Sequence, residues 1–180
     1  ALRDASQTMP CELISVPLTQ EDVSLYYRGF SNEALWPLLH DLLGYCKFDE
    51  KAWQRYCEVN ERFADQIIAS AEPDHVVWVH DYQLCLVGKY LREKGYEGPI
   101  VYFLHIPFPT SDLFRRLPWR KEIIEALMCY DTIGFQTRQD HENFVNTVCW
   151  MYDDVGVRET ASSTILFLEE RRVRVGNWAI

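Results

Sequence analysis

The sequence predicts an α/β fold, a Rossmann-like three-layer domain built on a mainly parallel sheet. Two observations carry this. The short apolar runs "HVVWVH" (75–80), "PIVYFLHI" (99–106) and "DTIGFQ" (131–136) are strands of the kind a sheet buries on both faces. Segments of helical period separate them, and strands alternating with helices build βαβ units.

In chain order, "ELISVPL" (12–18) reads as a first strand. Thr19 caps a short helix running towards Tyr27, with Glu21 and Asp22 favouring its first turn. A second helix is expected after Asn32, through "EALWPLLHDLL", with Pro37 in its opening turns, where proline costs least. From about Asp49 to Ala71, Trp53, Tyr56, Cys57, Phe63, Ala64, Ile67 and Ile68 recur at three- and four-residue spacing, an amphipathic helix. "QLCLVGKYLREKG" is another, closed at Gly95. One or two helices cover 111–128, and Thr137 caps a helix reaching about Trp150. "STILFLEE" and "RRVRVGNWAI" read as paired strands near the end.

At 180 residues and 48% hydrophobic, the chain can bury a core and is not disordered. A net charge of −9 disfavours nucleic acid and anionic membrane as partners; an anionic small molecule would need a local basic or backbone N–H site. No apolar run is long enough to span a bilayer, and "ALRDASQTMP" has no signal-peptide core. The six cysteines form no C-x-x-C pair, so free, mostly buried thiols in the cytoplasm are expected, and no metal site. G-x-G-x-x-G, Walker A, G-x-S-x-G and H-E-x-x-H patterns are missing, which disfavours nicotinamide enzymes, P-loop NTPases, α/β-hydrolases and zincins.

Ligands of parallel sheets bind beyond the carboxyl ends of the strands. Three strands end there in polar groups: His80-Asp81, His105 and Gln136-Thr137. Each has a packing role as well. His80 is expected to bond backbone carbonyls in a buried turn, His105 to be a satisfied core histidine, and Gln136 to orient the turn before Thr137. Asp81 suits a helix cap and a ligand site equally. In "LYYRGFSNEALWP" (25–37), Tyr26, Tyr27, Phe30 and Trp36 crowd a helix start; such aromatics suit a sugar or phosphate ester, and core packing too. "FRRLPWRK" (114–121) is a basic cluster, read as a solvated helix face before a phosphate site.

Taken together, "YYRGFSNEALWPLLH", "VNERFAD", "VVWVHDYQL", "FLHIPFPTSDLFRRLP" and "DTIGFQT" resemble the trehalose-6-phosphate synthase family of retaining glycosyltransferases, in order and spacing from about Val16 to Val148. The resemblance implies one half of a GT-B fold. Residues 1–180 would be the N-terminal, acceptor-binding Rossmann-like domain, incomplete at its N-terminus and without the C-terminal donor-binding domain into which "RVRVGNWAI" leads. It implies transfer of glucose, with UDP-glucose the expected nucleotide sugar, onto glucose 6-phosphate.

Tyr27 and Trp36 match acceptor-binding aromatics near the phosphate. Asp81 matches the aspartate that holds acceptor hydroxyls, and His105 the histidine that reaches the donor sugar. Asp81 and His105 are the catalytic candidates. No cofactor or metal is implied; the partners are a sugar phosphate and a nucleotide sugar, and self-association into a homo-oligomer is left open. Gln83 stands where many relatives carry histidine, which leaves a glucosylglycerol-phosphate synthase or a relative with a cyclitol acceptor as alternatives. A non-catalytic regulatory homologue is the alternative of another class. The family's diphosphate-binding Arg and Lys belong to the second domain, so residues 1–180 alone are expected to be inactive.

Overall fold

The computed structural model describes residues 11–178, which contain a six-stranded sheet of order β1-β2-β3-β6-β5-β4. β1 (Val77–His80), β2 (Ile100–Leu104), β3 (Thr132–Phe135) and β6 (Arg171–Asn177) run parallel. β4 (Gly156–Glu159) and β5 (Ser163–Leu168) extend the sheet antiparallel beyond β6. The α/β class, the mainly parallel sheet and the pairing of the last two strands are those expected from the sequence. β4 was not expected; all four of its residues are exposed, so it carries no apolar pattern.

Two departures lie near the start. Residues 12–18 join no strand, and Leu13, Ile14 and Leu18 are exposed. Apolar, β-branched composition favours a strand only where a neighbour takes its hydrogen bonds; Pro17 has no N–H to give, and its carbonyl accepts from the Arg62 side chain (3.4 Å). The second departure is a single uninterrupted helix where a break was expected at Asn32. α1 (Gln20–Asp22) leads into a π-helix over Val23–Leu35 and then α2 (Trp36–Leu39). Thr19 and Asp22 form a capping box at its start. Pro37 is accommodated because the Glu33 carbonyl, one turn back, accepts instead from Lys47 N (2.7 Å).

α3 (Glu50–Ser70) matches the helix expected from about Asp49 to Ala71; Asp49 caps it, and it packs on the π-helix and on α4 (Val87–Glu93). α4 closes at Gly95, whose φ of 82° is the left-handed conformation glycine permits. α5 (Ser111–Phe114) and α6 (Arg120–Leu127) precede β3; α7 (Arg138–Met151) starts on the Thr137 cap and packs on β6 and β3. β2 and β3 are covered on both faces, but β1 keeps Trp78 and His80 exposed opposite the buried Val77 and Val79.

Cys46, Cys57, Cys85, Cys129 and Cys149 are free thiols; Cys85 and Cys129 are buried, Cys46 and Cys57 intermediate, and Cys11 and Cys149 exposed, so fewer are buried than expected. "ALRDASQTMP" and the final Ala179 and Ile180 lie outside the described residues. In the basic cluster, Arg115 pairs with Asp112, and Trp119 packs on Phe30 and Trp53.

The helix entry is pinned to α3 by a buried carboxylate. Asp22 accepts from Arg62 Nη2 (2.8 Å), Arg55 Nη1 (2.9 Å) and Thr19 N (2.8 Å). The Arg62 bond, opposed by burial and helped by Thr19 and Arg55, holds its carboxyl well below the ordinary value of 3.8. A depressed native pKa means that the unfolded chain takes up protons first as the pH falls. The stabilisation is therefore complete above pH ~4 and lost below it. Asp22→Asn is expected to lower unfolding free energy at pH 7 by about 2 kcal/mol, less than for a fully buried pair because both arginines reach water. It should also flatten the acid limb, as urea melts from pH 3 to 7 will read.

Candidate active site

β1 delivers His80 and Asp81 to the carboxyl edge of the sheet, and β2 delivers His105 beside them. The Asp81 backbone is held on both sides: its N–H donates to Phe103 O (2.8 Å) and its carbonyl accepts from Leu84 N (3.1 Å). Its φ of 72° and ψ of 167° lie in a region that only glycine adopts at no cost. That conformation turns the carboxylate back along the edge. Asp81 Oδ1 accepts from Tyr82 N (3.1 Å) and, more weakly, from His105 N (3.4 Å). Asp81 thus caps the 3₁₀ turn Tyr82–Leu84, as the capping reading expected, and reaches the neighbouring strand.

α3 holds the turn from below. Tyr56, fully buried, donates from its hydroxyl to Tyr82 O (2.7 Å) and accepts from Cys85 N (3.1 Å). Asn60 donates to Gln83 O (3.0 Å) and accepts from Leu86 N (3.1 Å). Tyr56→Phe leaves the buried Cys85 N–H unpaired and the Tyr82 carbonyl with only the weak Cys85 thiol donor (3.4 Å), and is expected to cost about 2 kcal/mol in a denaturant melt.

The loop after β2 is fixed from the other side. Asp140 Oδ1 accepts from Phe108 N (2.9 Å), and Asn143 Nδ2 donates to Phe108 O (2.8 Å). The buried Phe108 ring contacts Phe114, Phe135 and Phe144. His105 is half-buried between this loop and the sheet edge, not enclosed in the core. His80 is exposed, and its ring bonds the His105 ring (Nδ1 to Nε2, 2.9 Å), not the backbone carbonyls expected of it. Burial of part of the ring, and then the His105 charge, lower the His80 pKa from 6.5; Asp81 opposes them. Gln136 is exposed beyond β3 and makes no hydrogen bond to Asp81 or His105 among the described residues.

The π-helix sets the aromatic side of the site. Tyr27 and Trp36 are nine positions apart and both exposed. An α-helix, at about 3.6 residues per turn, would put them on opposite faces. A π-helix, with its wider i→i+5 turn of about 4.4 residues, aligns them after two turns. Trp36 N–H bonds Ser31 O, the i→i+5 pattern itself. Asn32, in the turn between them, accepts from Tyr82 Oη (2.8 Å), which docks the π-helix against the Asp81 turn. Burial, then the Asp81 carboxylate and the Tyr27 phenol, push the Tyr82 hydroxyl up to about 12, so it stays a neutral donor. The Trp36 ring is backed by His40, centroids 4.1 Å apart. Asp81 and His105 are in contact, whereas Tyr27 and Trp36 approach them through Asn32 and Tyr82. Asn32 and Asp140 were not singled out in the sequence; for Asn32 the clue is its place between two aromatics nine apart.

The sequence profile of glycosyltransferase family 20 matches residues 3–180. The chain belongs to glycosyltransferase family 20. It is 48% identical over 134 residues to a trehalose-6-phosphate synthase of a Mycobacterium species, which covers 74% of this chain and 28% of that protein. Among solved structures it resembles the trehalose-phosphate synthase (UDP-forming) of Burkholderia xenovorans in complex with glucose-6-phosphate. That likeness has a TM-score of 0.87 at 32% identity and covers 92% of this chain and 36% of that one. It also resembles an E. coli trehalose-6-phosphate protein bound with UDP-2-fluoro glucose, with a TM-score of 0.84 at 34% identity, covering 91% of this chain and 35% of that one. The chain therefore spans about a third of the length of these family 20 relatives, and its fold is the corresponding portion of theirs. No helix among the described residues is long and apolar enough to cross a membrane.

Proposed function

We propose that this family 20 chain supplies the acceptor side of an enzyme that transfers glucose from UDP-glucose to glucose 6-phosphate, making trehalose 6-phosphate with retention of anomeric configuration. The observation that carries this reading is the Asp81–His105 contact at the carboxyl edge, with the Tyr27–Trp36 face beside it. Asp81 keeps Oδ1 on two backbone N–H groups, which leaves Oδ2 for an acceptor hydroxyl. Its role is to orient that hydroxyl, not to form a covalent bond. Tyr27 and Trp36 lie against the acceptor near its phosphate. His105 bonds the glucose being transferred, and the second domain carries the UDP. In a retaining displacement on one face, the leaving phosphate takes the acceptor proton, so positioning and charge stabilisation supply most of the rate. No metal or cofactor enters this reading, and the reaction belongs to the cytoplasm.

A donor and acceptor screen on the complete enzyme, read as nucleotide release, tests it. UDP release from UDP-glucose should require glucose 6-phosphate, and residues 1–180 alone should release none. Because Gln83 replaces a histidine common in relatives, glycerol 3-phosphate and a cyclitol are the competing acceptors to include. Faster release with either would overturn the acceptor assignment. Release with none of the acceptors would favour a regulatory homologue.

A further inference from the structure

The His80–His105 pair has a geometry that assigns a role to a residue outside the proposed contacts. The ring centroids are 5.1 Å apart and the planes 23° from parallel, while the facing nitrogens are 2.9 Å apart. The centroid distance exceeds the nitrogen distance by about two ring radii. The rings therefore lie side by side and nearly coplanar, nitrogen aimed at nitrogen, as an in-plane hydrogen bond requires. Two bare nitrogens cannot face each other at this distance, and neither can two N–H groups. One hydrogen sits between them, and its position on one ring dictates the tautomer of the other. His105 is left with Nδ1 as its other ring nitrogen. Whether Nδ1 donates or accepts is decided at His80.

We propose that His80 is a positioning residue for His105: by sharing one hydrogen with Nε2 it fixes the ring plane and the tautomer that His105 presents to the sugar. The supports are separate. Trp78 flanks His80 at 4.6 Å and Phe103 flanks His105 at 4.8 Å, so both rings are also held by aromatic neighbours. The loop holding His105 is anchored by Asp140 and Asn143 through Phe108, and the Asp81 carboxylate fixes its backbone N–H. None of these touches an imidazole nitrogen, so the tautomer is otherwise unset. The charged groups facing His80 are His105 and Asp81. Partial burial lowers the pKa of His80, which favours its neutral ring.

The role in transfer rests on the reading of His105 as the sugar contact; the shared hydrogen does not, and the test separates them. Imidazole ¹⁵N shifts of the complete enzyme at pH 8 should show one tautomer at each ring, complementary between the two. His80→Leu should return His105 to a mixture of tautomers. Unchanged His105 shifts in that variant overturn the proposal, whatever the enzyme's activity. In kinetics, His80→Leu should lower kcat about tenfold with little change in the acceptor KM. His80→Asn, which keeps a donor near the Nδ1 position, should recover kcat to within about threefold of the wild type. In a His105→Ala background, His80→Leu should have no further effect. An equal loss in both backgrounds overturns the proposal, because His80 would then act without His105. His80 is exposed at a strand end, so both variants should fold, as circular dichroism will show. If His105→Ala leaves kcat intact, the sugar contact fails while the ¹⁵N result still stands on its own.

Discussion

Replacing Asp81 by glycine in the complete enzyme is expected to lower kcat by about 10²–10³-fold, yet leave the protein more stable than the alanine variant. In the proposed function Asp81 orients the attacking hydroxyl, and the expected loss of turnover follows from removing that carboxylate. The stability difference follows from the backbone. A side-chain-bearing residue at φ 72°, ψ 167° costs about 1–3 kcal/mol, because Cβ crowds the chain there. Both substitutions lose the Tyr82 and His105 N–H bonds, at about 1 kcal/mol together given the length of the second. Alanine keeps the strain. Glycine releases it, but the unfolded chain gains about 0.5–1 kcal/mol of entropy. The balance puts glycine about 1 kcal/mol above alanine, and close to the wild type. Paired melts of the two variants measure this difference directly. Equal melting points would mean that Asp81 is not held in a strained conformation. A glycine variant that melts above the alanine variant would instead mean that the native residue owes its place to function at a stability cost, the pattern expected where strain gathers at working sites.

That strained turn also shows what could and could not be read from the chain alone. The strand ends bearing His80-Asp81 and His105 were legible because their apolar runs stop abruptly at polar residues. The caps at Thr19, Thr137 and Gly95 were legible because a local hydrogen bond or a local φ decides them. The misreadings share a different cause. "ELISVPL" has strand composition, but a strand is a relation to a neighbour, and the described residues provide none. The π-helix is invisible to a period of 3.6. Within it the buried Tyr26, Phe30 or Ser31, and Leu35 recur at four to five. Read at that period, Tyr27 and Trp36 fall on one face. The His80–His105 bond was hidden because it depends on register. β1 pairs His80 with Phe103, and only then does His105, two residues on, share its face.

The same register bears on the second large effect. His105→Ala in the complete enzyme is expected to reduce kcat by about 10²-fold, as for loss of one preorganised donor at a transition state. Unfolding free energy should fall by less than about 1 kcal/mol. The small stability effect follows from where the ring sits. His105 is half-buried, its bonded ring partner His80 is exposed, and its loop is held by Asp140, Asn143 and the Phe108 ring without help from the imidazole. A satisfied core histidine would behave in the opposite way. Its removal would open a cavity and strand a buried partner, costing about 2–4 kcal/mol with turnover unchanged in the surviving folded fraction. Saturating kinetics with UDP-glucose and glucose 6-phosphate, together with a urea melt, give both numbers on one sample. If His105 meets the sugar mainly as the transition state forms, kcat and kcat/KM should fall together while the acceptor KM holds. A rise in KM with kcat preserved would instead make it a ground-state contact. Asp81 would then be left as the residue on this edge that acts on the reacting groups.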